Sequence, residues 1–200
     1  NFIPSPDKIT YNIMLDMYVK SGLPNKIPLA EDLFDKYRSG NEYGIQADIT
    51  AYGCMIQIYD PTNENDMEKI QQLAAEVSNN QDNLDIDIRF ITIMIGLYGK
   101  SGLPNRVELA EELFNQYRIN NDNNNDHGIY ANIKTYVSMI GIYDATNDDD
   151  MKKIERLAAE VWNKQDTMSI NINFINIMIL NYGAFIYLRH GQLSGILGRS

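Results

Sequence analysis

The sequence predicts an all-α protein: an α-solenoid of stacked helix–turn–helix units, with four full pairs, a fifth partial repeat and two alternating repeat types. Three observations predict it. Long segments recur at shifts of 80 and 84 residues, methionine and tyrosine recur in a fixed register, and the apolar residues of each unit fall at helical spacing.

The run Lys-Ser-Gly-Leu-Pro-Asn that opens at Lys20 and ends in Leu-Phe at Phe34 returns from Lys100 to Phe114. The run Ile70 to Val77 returns as Ile154 to Val161. Each long repeat divides again, because Met14, Met55, Met94, Met139 and Met178 are each followed four residues later by Tyr18, Tyr59, Tyr98, Tyr143 and Tyr182. The spacings of 41, 39, 45 and 39 place the repeats at about 8–48, 49–87, 88–132, 133–171 and 172–182, a repeat domain of 1–182. Residues 183–200 carry neither acid nor a second-helix pattern and read as a divergent tail or cap.

Within a unit, segments such as Ile13 to Tyr18 and Leu29 to Phe34 predict two helices, A and B. Lys20-Ser21-Gly22 before Pro24 predicts a helix end with the glycine in a left-handed cap. Asn65 with Glu68, and Asn105 with Glu108, predict N-caps for B helices. A lone pair cannot bury its apolar face, so neighbours must stack.

With 200 residues, 44% of them hydrophobic, the chain can bury a substantial core, and its net charge of −10 weighs against a strong sequence-independent hold on phosphate backbones. The single cysteine, Cys54, excludes an intrachain disulfide and fits an intracellular reducing compartment. No apolar stretch reaches the roughly 18 residues that span a bilayer, so no membrane association is expected. A start at Asn1 without a leader pattern reads as a fragment of a longer protein.

No catalytic, cofactor or small-molecule motif emerges. The run Asp122 to Asp126 and the segment from Asp144 to Glu155 suggest calcium by their oxygen density, but His127, Ile133 and Asp149 stand where the loop needs glycine or glutamate, so solvated loops and helix caps are expected and no metal. His127, His190 and Cys54 share no motif, and Cys54 beside Met55 reads as a small buried apolar residue. Gly53, Gly96 and Gly141 within A-helix segments predict close helix packing.

The runs Ile9-Thr10-Tyr11-Asn12-Ile13-Met14-Leu15, Tyr18 to Gly22 and Ala30-Glu31-Asp32-Leu33-Phe34, with the closing Asp48, resemble the pentatricopeptide repeat (PPR) family. The tetratricopeptide repeat is the second resemblance, and the Thr-Tyr-Asn opening favours the first. The resemblance implies a non-enzymatic module that reads single-stranded RNA one base per repeat along the concave helix-A face, with a mitochondrion as one location. It implies base-selecting pairs Asn12–Asp48 (uracil) and Thr92–Asn132 (adenine), with Asn176 as the corresponding residue of the fifth unit. Gly53 and Val137 replace the first member of the pair in the second and fourth units. Ile9 would pack on a base, Arg89 would stack by its guanidinium plane, and Lys20 and Lys100 would meet phosphates.

The A helices carry five basic residues (Lys8, Lys20, Arg89, Lys100, Lys134) against three acidic ones (Asp16, Asp60, Asp144), so they hold +2 and the remainder −12. A protein partner in the groove is the alternative reading. It draws on the overall acidity, the missing base selectors and exposed tyrosines.

Overall fold

The computed structural model describes residues 6–38, 45–80, 84–118, 130–164 and 168–197, without the side chains of 187–197. All regular structure among these residues is helical: α1 (Lys8–Lys20), α2 (Lys26–Arg38), α3 (Ile49–Ile58), α4 (Glu64–Asn79), α5 (Ile88–Lys100), α6 (Arg106–Tyr117), α7 (Ile133–Ile140), α8 (Asp148–Asn163) and α9 (Ile172–Leu197). The chain divides into two compact units, Asn1–Pro104 with α1 to α5 and Asn105–Ser200 with α6 to α9. Helix α9 runs through position 182 without a break.

The A helices α1, α3, α5, α7 and α9 all start the same way. Seven residues before each register methionine stands Asp7, Asp48, Asp87, Asn132 or Asn171, and its side-chain oxygen accepts a hydrogen bond from a backbone N–H two or three residues on, at 2.8 to 3.2 Å. Each cap satisfies a donor that the first turn leaves open and contributes about 1 kcal/mol. The B helices α4 and α8 are capped by Asn63 and Asn147, whose side chains accept from Asp66 N, and from Asp149 N and Asp150 N. The expected cap Asn65 instead lies inside α4, and Asn105 stands at the start of α6 without a side-chain cap bond.

Serine, not glycine, ends α1 and α5. Ser21 and Ser101 are extended, and their hydroxyls donate to the carbonyls of Tyr18 and Tyr98 at 2.9 and 2.8 Å. Gly22 does not enter the left-handed region, because the serine has already satisfied the last turn.

In the first unit α3 is central, packed on α1, α2, α4 and α5, and it buries Tyr52, Met55, Ile56 and Tyr59. In the second, α7 packs on α6, α8 and α9 and buries Tyr136, Met139 and Ile140. Phe34 meets the ring of Tyr52 edge-on at 5.1 Å, and Phe114 meets Tyr136 likewise at 5.1 Å. The glycines divide: a Cβ on Gly141, which ends α7, would meet Ile177 Cδ1 at 3.3 Å, one on Gly53 would reach Ile93 Cδ1 at 4.0 Å, and one on Gly96 would meet nothing within 4 Å. Close packing therefore accounts for Gly141, fits Gly53 loosely and does not account for Gly96.

Candidate functional site

Asn12 and Asp48 are 36 residues apart in sequence, and the packing of α1 on α3 brings them together. Asn12 Nδ2 donates to both carboxylate oxygens of Asp48 at 3.2 Å, while Asp48 Oδ1 also accepts from Thr50 N and Ala51 N at 3.0 and 3.1 Å. The cap fixes the carboxylate and the carboxylate fixes the amide. Asn12 Oδ1 is buried without a hydrogen-bond partner, and the preceding residue Tyr11 stacks on the buried Tyr37 with ring centroids 4.7 Å apart. Burial and the charge of Asp48 push the Tyr37 hydroxyl well above the ordinary phenol range.

The other sequence-derived residues fall in different settings. Thr92 donates its hydroxyl to Ile88 O at 2.7 Å, inside its own helix. Asn132 is exposed and forms a capping box with Thr135 on α7. Thr92 belongs to the first compact unit and Asn132 to the second. Asn176 is exposed on α9. Ile9 and Arg89 are exposed in the first turns of α1 and α5, and Lys20 and Lys100 are exposed in the last turns. Lys20 is held by Asp16, one turn back on α1, at 2.5 Å. At the position of Asn12 in the second unit of the repeat, Gly53 is buried. The closing residues thus serve as N-caps of the next A helix, a role that the Asp-Ile or Asn-Ile openings of most of these helices already signalled.

Sequence reasoning missed a set of carboxylate clamps. On α2, Glu31 accepts from Tyr59 Oη at 2.8 Å and from Lys69 Nζ at 2.7 Å, and the ammonium also sits over the Tyr59 ring. In the second unit Glu111 does the same with Tyr143 and Lys153, both at 2.8 Å. A second clamp joins Glu76 of α4 to Tyr52 of α3 and Arg38 of α2, and its counterpart joins Glu160 of α8 to Tyr136, Arg118 and Lys164. Burial pushes the carboxyls of Glu31, Glu111 and Glu160 up, but the hydrogen bonds from lysine, arginine and tyrosine outweigh it and hold them below their ordinary value. Burial and the paired carboxylate push Tyr52, Tyr59, Tyr136 and Tyr143 above theirs. The signal was in the repeats themselves, since each glutamate lies in a recurring Ala-Glu segment.

These clamps change the role expected of the tyrosines. Tyr52, Tyr59 and Tyr136 are buried and Tyr143 is half-buried, their hydroxyls committed to glutamate, whereas Tyr130 and Tyr182 are exposed.

Cys54 is buried and its thiol is pushed up by burial, so little thiolate is present at neutral pH. Asp144 accepts from Thr146 N and Oγ1 at 2.9 and 2.7 Å, and Asp150 accepts from Asp144 N at 3.1 Å, which makes this acidic segment a turn leading into α8. Among the described residues no three histidine, cysteine or carboxylate side chains group as metal ligands, and no helix is long and apolar enough to cross a membrane. The run Asp122 to Asp126 and His127 lie outside the described residues, as does the side chain of His190.

No family model matches the chain, and no curated protein matches it.

Proposed function

We propose that the chain is a non-catalytic helical-repeat scaffold that binds single-stranded RNA along the exposed ends of its A helices. The observation that carries this reading is the Asn12–Asp48 pair, an amide and a carboxylate held 3.2 Å apart, groups of the kind that hydrogen-bond a base edge; in the free chain they bond each other and Asn12 Oδ1 is buried, so a base would have to displace that contact. Charge segregation supports it. The first turns of α1, α3, α5 and α7 hold no acid, while those of α4, α6 and α8 do, and Lys8, Arg89 and Lys134 are exposed in A-helix first turns. The caps Asp7, Asp48 and Asp87 already occupy the N-termini of α1, α3 and α5, so the groups offered to phosphate are the exposed cations rather than the helix ends. The net charge of −10 therefore does not decide the matter, because the acid is concentrated on the B helices and loops.

The test is titration of fluorescent randomised single-stranded RNA at low salt. Asn12→Ala should relax preference at one base position, for which the family resemblance implies uracil. Replacing Lys8 and Arg89 together with alanine should weaken all sequences alike and reduce the salt slope by about 1 to 2. Lys20→Ala should matter less than Lys100→Ala, since Asp16 already neutralises Lys20.

One observation favours a protein partner instead: beyond Ile9, α1 leaves Ile13 and Met17 exposed on the same side, an apolar strip longer than one base contact needs. No measurable RNA binding by the folded chain would favour that second reading.

A further inference from the structure

We infer that the cleft between α2 and α4 in the first unit is a docking slot for an arginine side chain of a partner polypeptide, with Asp35 and Gln72 as the residues that select it. Helices α2 and α4 both pack on α3, and between them lies an open cleft of about 300 Å³. Its floor is apolar, formed by the buried Phe34, Met55 and Leu73. Two ion pairs cross from one wall to the other, Glu31 with Lys69 and Arg38 with Glu76, both at 2.7 Å. On each helix they stand seven residues apart, roughly 10 Å along the axis. Asp35 and Gln72 come from the turns between them.

Both cations that line the cleft are already paired. Asp35 is not: it is exposed, and among the described residues no cation pairs with it and no group donates to it. Gln72 is exposed too, and its side chain bonds to no other described residue. A free carboxylate and a free amide oxygen therefore stand at the rim of an apolar floor, and the lining holds three carboxylates against two cations. A guanidinium meets a carboxylate edge with two parallel bonds and gives up its water more readily than an ammonium does, and its aliphatic stem suits the floor. The volume is at the lower end for a ligand pocket and fits one long side chain.

The second unit supplies the comparison that singles out these two positions. At the repeat shifts of 80 and 84, the eight other lining residues recur unchanged, and the ion pairs Glu111–Lys153 and Arg118–Glu160 rebuild the frame. Only Asp35 and Gln72 differ, replaced by Asn115 and Arg156. Both changes move the charge the same way, so the corresponding set holds two carboxylates against three cations. The frame has the same packing demands in both units, and the two residues between its ion pairs are the ones that reverse its sign. A single rim carboxylate changes affinity by at most about fivefold, too little to hold a free ion. The occupant must bring further contacts, which an arginine within a polypeptide does. The walls are B helices, so the slot is separate from the A-helix first turns assigned to RNA, and neither reading depends on the other.

Chemical-shift mapping of the isotope-labelled chain with the peptide acetyl-Gly-Gly-Arg-Gly-Gly-amide tests this. Saturable shifts are expected in residues 31–38 and 69–76, and none in 111–118 and 153–160. The same peptide with citrulline in place of arginine keeps the shape without the charge and should bind about fivefold more weakly. The double variant Asp35→Asn with Gln72→Arg places the second unit's residues on the same frame and should reverse the preference, from the arginine peptide to its glutamate counterpart. Both positions are exposed and both replacements already stand in the second unit, so urea denaturation of the variant should match the parent. No saturable shift in the cleft, equal binding of the citrulline peptide, or a double variant that keeps the parent's preference would each overturn the proposal. Butylguanidinium binding as tightly as the peptide would overturn a polypeptide occupant. RNA binding is read separately and is untouched by any of these results.

Discussion

The Glu76 clamp in the first compact unit and the Glu160 clamp in the second use the same three residue types, yet they are not equally strong. Both glutamates take a tyrosine hydroxyl from an A helix and an arginine from the end of the preceding B helix. Glu160 is the more enclosed, with its side chain 13% exposed against 22% for Glu76, and it also holds Lys164 at 2.8 Å. The position of Lys164 is taken in the first unit by Asn80, whose side-chain amide donates to the backbone carbonyl of Glu76 instead. A repeated sequence therefore fixes the clamp's geometry, and its energy is set by one neighbour and by depth. Desolvation strengthens each hydrogen bond to the carboxylate, and a second cation offsets the cost of burying it.

Where the two copies are equal, substitutions should have equal effects. Phe34 and Phe114 are both almost fully buried and both meet a tyrosine ring at 5.1 Å, so alanine at either should cost about 3–5 kcal/mol in urea denaturation. Effects differing by more than about 2 kcal/mol would show that the copies are packed differently despite their sequences. The clamps should then separate. Glu160→Gln should cost about 2 kcal/mol, because it leaves Arg118, Lys164 and Tyr136 facing a neutral amide in a mostly enclosed site. Glu76→Gln should cost less than about 1 kcal/mol, since Arg38 is 43% exposed and water replaces its partner.

The same difference should appear in acid. The folded carboxyls of Glu31, Glu111 and Glu160 lie below their ordinary value. A depressed folded pKa contributes stability that is fully present above the unfolded value of about 4.3 and is lost as pH falls through the folded one. Stability measured from pH 6 down to 3 should therefore decline. Glu160→Gln should flatten that decline, and an unchanged slope would mean that the clamp carries no linked proton.

Helix type and register were legible in the sequence because burial repeats with it: Ile56 and Ile140 sit one place after their methionines, and both are fully buried. The family resemblance paired Asn12 with Asp48 as base selectors, but that the two side chains bond each other was not among the expectations and depends on the packing of α1 on α3. Other features depended on three-dimensional neighbours. Asn63 rather than Asn65 caps α4 because the turn closed by Asp60 and Thr62 delivers Asn63 to the helix start, and local spacing permits either choice. The tyrosines looked like groove residues until their glutamate partners, 24 to 32 positions away, came into view. Exposure of Ile179 could not be read at all, since its register is that of a core residue.

The smallest expected effect is also the sharpest probe of why the clamps differ. If Lys164 is what strengthens the Glu160 clamp, then Asn80→Lys should transfer part of that strength to Glu76, because position 80 lies one helical turn after the glutamate, as 164 lies after 160. The order of glutamate before lysine at this spacing is the favourable one, and a lysine near the end of α4 also meets the negative end of the helix dipole. Asn80 gives up a bond from its side-chain amide to Glu76 O at 3.0 Å, but its backbone N–H still donates to that carbonyl at 3.1 Å, so no acceptor is stranded. The net gain should be about 0.3–0.5 kcal/mol at low salt and should shrink at high salt, as an exposed ion pair does. Introduced together with Glu76→Gln, the lysine should stabilise by less than it does alone, and that coupling, measured as a double-mutant cycle, isolates the ion pair that the new lysine makes with Glu76. Equal gains with and without the carboxylate would assign the benefit to the helix dipole and leave depth of burial as the cause of the difference between the two units.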